Sequence, residues 1–474
     1  MRRTRIVCTL GPASSAPAVL RAMIQRGMDV ARLNFSHGDP SELLELARLT
    51  RELARAAGRH VALLQDLPGP KIRTGEVAGG ARNLRRGETV VLAAAPRGQD
   101  ALVVEEPRLL AALRRRDQIL IQDGEIELSV VEVGAEGVRA RVVHGGRLRS
   151  HQGVVVPTRD LGLPALTDHD RELVELGQEV GFDYVALSFV RRAEDVTALR
   201  RHLEQLGAPA RIVAKLERAD AIRNLDAILD AADAVMVARG DLGVELPLAD
   251  VPAVQKNVIE RANHAGRPVI TATEMLESMV HAPRPTRAEA SDVANAIWDG
   301  TDAVMLSQET SIGDDPKSVV GYMDRICRAA ERHPAYRRAG VGGASATDVS
   351  NAMAKAAAAV AHGISARAIV AFTETGASAL RVSKQRPTAA VIAASPHPAT
   401  LRRTALYAGV RAVEVPAAAD TDQLIDIAIA AARRCRLVRP GDRVVVVAGT
   451  PIGQSGLTNL IRVAVEPAAP DALS

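Results

Sequence analysis

The chain has 474 residues, 47% hydrophobic and 24% charged, with a formal net charge of +4. That is the balance of a soluble globular protein of about two to four domains. It excludes a membrane-spanning chain, because no apolar run is long enough, and it argues against nucleic acid as a partner. Aromatic residues are only 2%, too few for base-stacking platforms, and no nucleic-acid motif is present. The three cysteines, Cys8, Cys327 and Cys435, have no metal or redox spacing, so a reducing cytoplasm is the expected location. The basic N-terminal stretch lacks a signal-peptide core and is expected to stay in the cell.

In chain order, residues 4–10 predict a strand and the stretch to about residue 26 a helix. A second strand is expected over 29–36, a helix over 41–57, and a third strand over 61–67, broken by Pro68-Gly69-Pro70. Strand–helix alternation of this kind marks parallel βα units. From about 72 to 157 the texture changes to short alternating runs (89–93, 118–122, 126–131, 138–143). They are punctuated by Asp123-Gly124 and Gly145-Gly146, as in a small antiparallel β domain. Alternation then resumes, with strands expected at 184–190, 211–217, 234–241, 268–275 and 303–310 and helices at 251–265 and 287–298. Eight βα units fit a closed (β/α)₈ barrel, with an open doubly wound sheet as the alternative. A break falls near Gly340. The remainder predicts a third α/β domain with strands at 369–373, 390–394, 412–415 and 443–448 and helices over 352–361 and 425–434.

Chemistry concentrates at the predicted carboxyl ends of the barrel strands, where such folds keep their sites. The run Ala234 to Ala238 is apolar and stops at Arg239-Gly240-Asp241. Residues 211–217 carry Lys215 and Glu217, which period-2 alternation places on one face. Two carboxylates and a lysine at neighbouring strand ends suit a divalent metal and a phosphoryl group. The bland alternative is a rim of solvated charges. Other strand ends contribute Arg32, Asn34, Ser36 and His37, then Asp66 with Lys71 and Arg73, then Thr271, Thr273 and Glu274, then Ser307 and Glu309. Cations and carboxylates dominate, with no His/Cys cluster and no Ser-His-Asp order. Phosphoryl transfer needs charge neutralisation and alignment more than a covalent nucleophile. Asp66 could instead cap the turn at Pro68, and His37 could be a solvated loop residue.

Several long blocks, in order, make the chain similar to the pyruvate kinase family. They are VCTLGPAS (7–14), DVARLNFSHG (29–38), QDLPGPKIRTG (65–75), AKLE (214–217), MVARGDLGVELP (236–247), TATEMLESM (271–279), PRPTRAEASDVANAIWDGTDAVMLSQET (283–310) and GLTNLIRV (456–463). The resemblance covers nearly the whole chain. It implies a (β/α)₈ TIM barrel (1–71 and 158–340), an inserted β-barrel-like lid (72–157) and a C-terminal α/β domain (341–474). It also implies a homotetramer and transfer of phosphate from phosphoenolpyruvate to ADP.

By the same resemblance, Glu217 and Asp241 would ligate Mg²⁺ or Mn²⁺, and Lys215 would stabilise the phosphoryl group. Arg32 and Arg73 would bind phosphates, Gly240 and Asp241 the substrate carboxylate, and Thr273 would stand beside the enolate. Asn34, Ser36, His37 and Asp66 would line the nucleotide and cation side, and Glu309 would lie behind the site or take part in a proton relay. The loop Thr373-Glu374-Thr375-Gly376-Ala377-Ser378 would take a phosphorylated effector, or be an ordinary capped turn.

The sequence also departs from the family. Leu67, Pro68 and Lys71 replace a common Thr-Lys pair and a Glu. Gln152 stands where a lysine is common, Gln308 where glycine is, and Glu274 where glutamine is. No metal ligand is lost, so activity is expected. Lys71 supplies the unit charge that K⁺ brings to many relatives, which predicts that K⁺ is not required. Competing readings are a metal-dependent lyase or aldolase barrel, which leaves the lid and Arg73 without a job, and a silent metabolite-binding regulator.

Overall fold

A computed structural model describes residues 2–96, 101–122, 124–134, 137–157, 159, 161–338, 348–451 and 456–467. The expected break near Gly340, the turn residue Asp123 and the proposed boundaries at 158, 340 and 341 lie outside these residues.

Eight parallel strands close into a barrel. In chain order they are Arg5–Leu10, Val30–Asn34, Ala62–Asp66, Tyr184–Leu187, Arg211–Leu216, Ala234–Ala238, Val269–Ala272 and Ala303–Leu306. The open-sheet alternative is thereby removed. Alternation along each strand divides two cores. Ile212, Ala214 and Leu216 pack outward with Ala31, Leu33 and Leu63 against the helices. Val213, Val30, Leu64 and Val7 fill the barrel interior. Stepping two residues further along those four strands gives Lys215, Arg32, Asp66 and Thr9. The polar site is therefore the top layer of the barrel interior.

The strands are shorter than the sequence suggested, because several carboxyl ends leave the ladder early. The largest correction is at the sixth strand. Expected to run to residue 241, it ends at Ala238, and Arg239-Gly240-Asp241 begin a seven-residue helix, Arg239–Glu245. The third strand likewise ends at Asp66, before the rigid Pro68-Gly69-Pro70.

The inserted segment forms a six-stranded sheet and a two-stranded one. Leu84 and Leu148 from the smaller sheet share one buried core with Leu92, Leu128 and Val142 from the larger. A short helix, Pro107–Ala112, and one parallel pairing within the larger sheet had no sequence signal. The C-terminal part is a five-stranded sheet, with four parallel strands and an antiparallel edge strand, Leu460–Val465. That edge strand was not foreseen. The buried Lys384 and Arg386 both grip Asp302, at 2.6 and 3.0 Å, and tie this part to the foot of the barrel.

Candidate active site

A cleft of about 1000 Å³ opens at the carboxyl ends of the strands. Arg32, Asn34, His37, Lys71, Lys215, Gly240, Asp241 and Thr273 all line it.

Asp66 is its electrostatic centre. The residue is fully buried. Its Oδ2 accepts from Arg32 Nε at 2.5 Å, and Lys215 Nζ lies 3.2 Å from its Oδ1. Burial alone would raise the carboxyl's pKa, but Arg32 and Lys215 outweigh it and hold Asp66 below its ordinary value. The turn-capping alternative fails, because the Gly69 N–H is capped by Asp170 Oδ1 instead, at 3.1 Å. Arg32 is fixed on its other side by Nη1 donating to Thr9 Oγ1 at 2.8 Å.

Lys215 is the second hub. Its Nζ sits 2.9 Å from Glu217 Oε1 and donates to Ser188 Oγ at 2.7 Å. Desolvation opposes its charge, yet Asp66 and Glu217 raise its pKa, so it is an ammonium at every working pH. Ser188 in turn donates to the Leu67 carbonyl at 2.7 Å. Ser188 was not singled out from sequence, since a serine after a buried strand carries no distinguishing pattern.

Glu217 is buried, and its Oε2 accepts from the Phe189 N–H at 2.7 Å. Phe189 has φ +55°, an unusual conformation for a bulky residue that only a well-determined surrounding tolerates. Gly69 packs against it; a Cβ there would meet the Phe189 ring at 2.9 Å.

Among the described residues no group of three or more His, Cys, Asp or Glu side chains is arranged to hold a metal. Two carboxylates nevertheless face one space, since Glu217 and Asp241 line the same cavity between the barrel and the inserted sheets. An oxygen-only pair fits Mg²⁺, which binds through one or two carboxylates together with substrate oxygens and waters. Among Arg32, Lys215, Asp66, Glu217 and Asp241 the carboxylates outnumber the cations by one, so a divalent cation makes this group of five net positive, as a phosphate requires.

Gly240 and Thr273 are joined directly. The Gly240 N–H donates to Thr273 Oγ1 at 2.8 Å, so it is already engaged. Thr273 has φ +66° and Glu274 φ +53°. His37 is exposed at the cleft's edge, and partial desolvation together with Arg73, Lys71 and Arg32 depresses its pKa. Arg73 is the outlier, because it is not among the cleft-lining residues. Its Nη1 donates to the His151 carbonyl of the inserted segment at 3.0 Å. Asn34 Oδ1 accepts from the Ser36 N–H at 3.2 Å. Glu309 is fully buried, accepts from the Leu276 and Ser307 N–H groups, and has its pKa raised by burial.

In the C-terminal part, Thr373, Thr375 and Ser378 line a cavity of about 180 Å³ together with Glu374 and Arg381. Gly376 N–H donates to Thr373 Oγ1 at 2.9 Å, and the Ser378 and Thr458 hydroxyls pair at 2.8 Å.

Comparison with known proteins agrees across the chain. The model described as "Pyruvate kinase, barrel domain" matches residues 1–320, and "Pyruvate kinase, alpha/beta domain" matches 351–464. The chain is 42% identical over 467 residues to a pyruvate kinase of Methylorubrum extorquens, covering 98% of this chain and 97% of that one. It is 44% identical over 469 residues to one of Geobacillus stearothermophilus, covering 98% and 80%. The crystal structure of a pyruvate kinase from Cryptosporidium parvum superposes with a TM-score of 0.92 at 34% identity, covering 98% and 96%.

Proposed function

This chain belongs to the pyruvate kinase family and is an enzyme of that type, and from that premise we propose that it moves the phosphoryl group of phosphoenolpyruvate to ADP. The observation that carries the reading is the Arg32–Asp66–Lys215–Glu217 cluster at the floor of the cleft.

In the proposed reaction an oxygen of the ADP terminal phosphate bonds to phosphorus. The phosphorus–enol oxygen bond breaks, its electrons remain on the pyruvate enolate, and C3 gains a proton. Arg32 and Lys215 hold the phosphoryl oxygens. Lys215 matters most when charge is spread over the group in flight, because an ammonium fixed by Asp66 and Glu217 needs no reorganisation. Glu217 and Asp241 would hold Mg²⁺ or Mn²⁺, which supplies charge neutralisation on phosphate and enolate oxygens. Asp241 and Gly240 border the substrate carboxylate, and Thr273 stands on the face where C3 is protonated. Asn34, His37 and Arg73 serve the nucleotide.

The same proposal extends to K⁺. Lys71 lines the cleft, and its stem is wedged against the lid, since a Cβ at Gly153 would lie 3.0 Å from Lys71 Cε. Of the oxygens that could ligate K⁺, from Asn34, Ser36, Asp66 and Leu67, those of Asp66 are engaged by two cations and the Leu67 carbonyl by Ser188. A second cation 4 Å from Lys71 would meet repulsion of about 4 kcal/mol at an effective dielectric of 20. The reaction thus needs a divalent metal and no K⁺.

The loop at Thr373–Ser378 takes a phosphorylated effector through its hydroxyls and the backbone N–H groups that open the helix Ala377–Lys384. The chain works as a cytoplasmic homotetramer. Among the described residues no helix is long and apolar enough to cross a membrane, and all three cysteines are buried and unpaired, as a reducing compartment allows.

The deciding experiment is a coupled assay of pyruvate formation from phosphoenolpyruvate, ADP and Mg²⁺, with and without K⁺ at constant ionic strength. No turnover under any condition would sink the reading. Strong K⁺ activation would sink its second half. Phosphorylated metabolites that neither shift half-saturation nor protect residues 373–378 from hydrogen exchange would remove the effector site.

A further inference from the structure

Arg239 opens the helix that follows the sixth barrel strand, yet it is not among the residues that line the substrate cleft. Its guanidinium instead turns toward the backbone of the neighbouring strand end. Nε donates to the Ala272 carbonyl at 3.1 Å, and Nη2 to the Thr273 carbonyl at 2.6 Å and to Met275 Sδ at 2.9 Å. Nη1 is held from behind. It lies 2.8 and 2.7 Å from the two carboxylate oxygens of Asp292 and 3.3 Å from Gln255 Oε1. Asp292 belongs to the helix Arg287–Asp299 and Gln255 to Val251–His264. Two helices thus brace one arginine against one pair of carbonyls.

What those carbonyls belong to gives the arrangement its meaning. Thr273 and Glu274 are consecutive non-glycine residues with positive φ, and a β-branched threonine is especially disfavoured there. Such a conformation persists only where the surroundings over-determine it. The strained backbone aims the Thr273 side chain at the Gly240 N–H, inside the cleft. Relaxation of Thr273 and Glu274 to ordinary backbone angles would carry that hydroxyl away.

We propose that Arg239, braced by Asp292, is a positioning clamp that holds Thr273 in its left-handed conformation and so sets where the enolate is protonated. The inference rests on the reading above that Thr273 stands beside the enolate. The planar fork of arginine is essential, because it reaches both carbonyls and both Asp292 oxygens from one rigid group. A lysine offers one rotatable ammonium and cannot span them.

The test uses Arg239→Lys and Asp292→Asn, each alone and combined with Glu274→Gly, and Glu274→Gly alone as the reference. Glycine adopts positive φ freely, so it lowers the strain that the clamp has to hold. Three quantities are read in the full-length protein: kcat and KM for phosphoenolpyruvate, exchange of the pyruvate methyl hydrogens with D₂O in the presence of Mg²⁺ and ATP, and Tm. Arg239→Lys is expected to lower kcat on the order of tenfold, the scale of one strained backbone residue. KM should stay within about twofold, since substrate binding is made by other groups, and methyl exchange should slow in step with kcat. Asp292→Asn should act in the same direction but less. Glu274→Gly should return several-fold of the kcat lost in either variant, beyond any change it makes alone.

Unchanged kcat in both variants overturns the clamp. So does a loss that follows Tm, or one that Glu274→Gly does not recover, because either marks a purely structural role. If the unmodified chain shows no turnover, the functional reading itself fails and takes the clamp with it. An active unmodified chain with indifferent variants condemns the clamp alone.

Discussion

Lys215 and Arg32 hold opposite oxygens of one buried carboxylate, that of Asp66, at 3.2 and 2.5 Å. The three residues come from the fifth, second and third barrel strands. Asp66 therefore sets the spacing of the two cations that a phosphoryl group would bridge, while Glu217 holds the ammonium from its other side.

Lys215→Met tests this arrangement most directly. Turnover is expected to fall on the order of 10²–10³-fold, the usual consequence of losing one preorganised charge contact to a transition state. The fold should survive, since Asp66 keeps Arg32 and methionine fills similar space. A loss of only a few-fold in a steady-state assay, with circular dichroism unchanged, would contradict the role.

Glu217→Gln and Asp241→Asn should each raise the Mg²⁺ concentration needed for half-maximal rate by tenfold or more, on the order of 1.4 kcal/mol of metal affinity. Mg²⁺ titrations of the initial rate at saturating substrate read this out. Unchanged metal dependence in both variants would mean that the divalent ion lies elsewhere.

Lys71→Glu should convert a K⁺-indifferent enzyme into one that K⁺ activates. The glutamate reverses the local charge, and a monovalent cation restores it. The variant is expected to lose most of its rate in K⁺-free, NH₄⁺-free buffer and to regain a substantial part on adding K⁺. Full activity without K⁺ would show that Lys71 does not stand in for the ion.

A fourth outcome concerns acid stability at the opposite end of the barrel. Burial would raise the pKa of Asp29, but Arg2, Arg5 and Arg59 overcome this and hold it below its ordinary 3.8. A carboxyl depressed by folding contributes stability that is present above pH 3.8 and is lost as pH falls through its folded value. Asp29→Asn leaves Arg5 buried without its counter-charge and Arg2 with Asp324 alone, and should cost about 3–5 kcal/mol at pH 7. The deficit should shrink as the pH falls below 3.8. Urea unfolding of both proteins at pH 7 and at pH 3 checks the sign; a deficit that grows in acid would refute it.

Much of this molecule was legible in its sequence, for reasons that are local. Strand–helix alternation announced eight βα units, and the switch to short runs punctuated by glycine marked the inserted β sheets. Period-2 alternation put Lys215 and Glu217 on one face, and they do meet, 2.9 Å apart. Each of these signals depends only on residues within a few positions of one another, where backbone geometry fixes direction.

The tertiary structure decided what depends on distances between strands. Asp66 offered two readings in sequence, turn cap or site residue. Barrel closure removed the first by bringing Arg32 and Lys215 onto its oxygens and Asp170 to the turn. Ser188 became a link between Lys215 and the Leu67 carbonyl, and Arg239 became a brace for Thr273, with no motif to announce either. The left-handed backbone at Thr273 and Glu274 runs against local preference, so no local pattern could have predicted it. It exists because the packed surroundings make relaxation costlier than strain, and that balance is struck only once the barrel is closed.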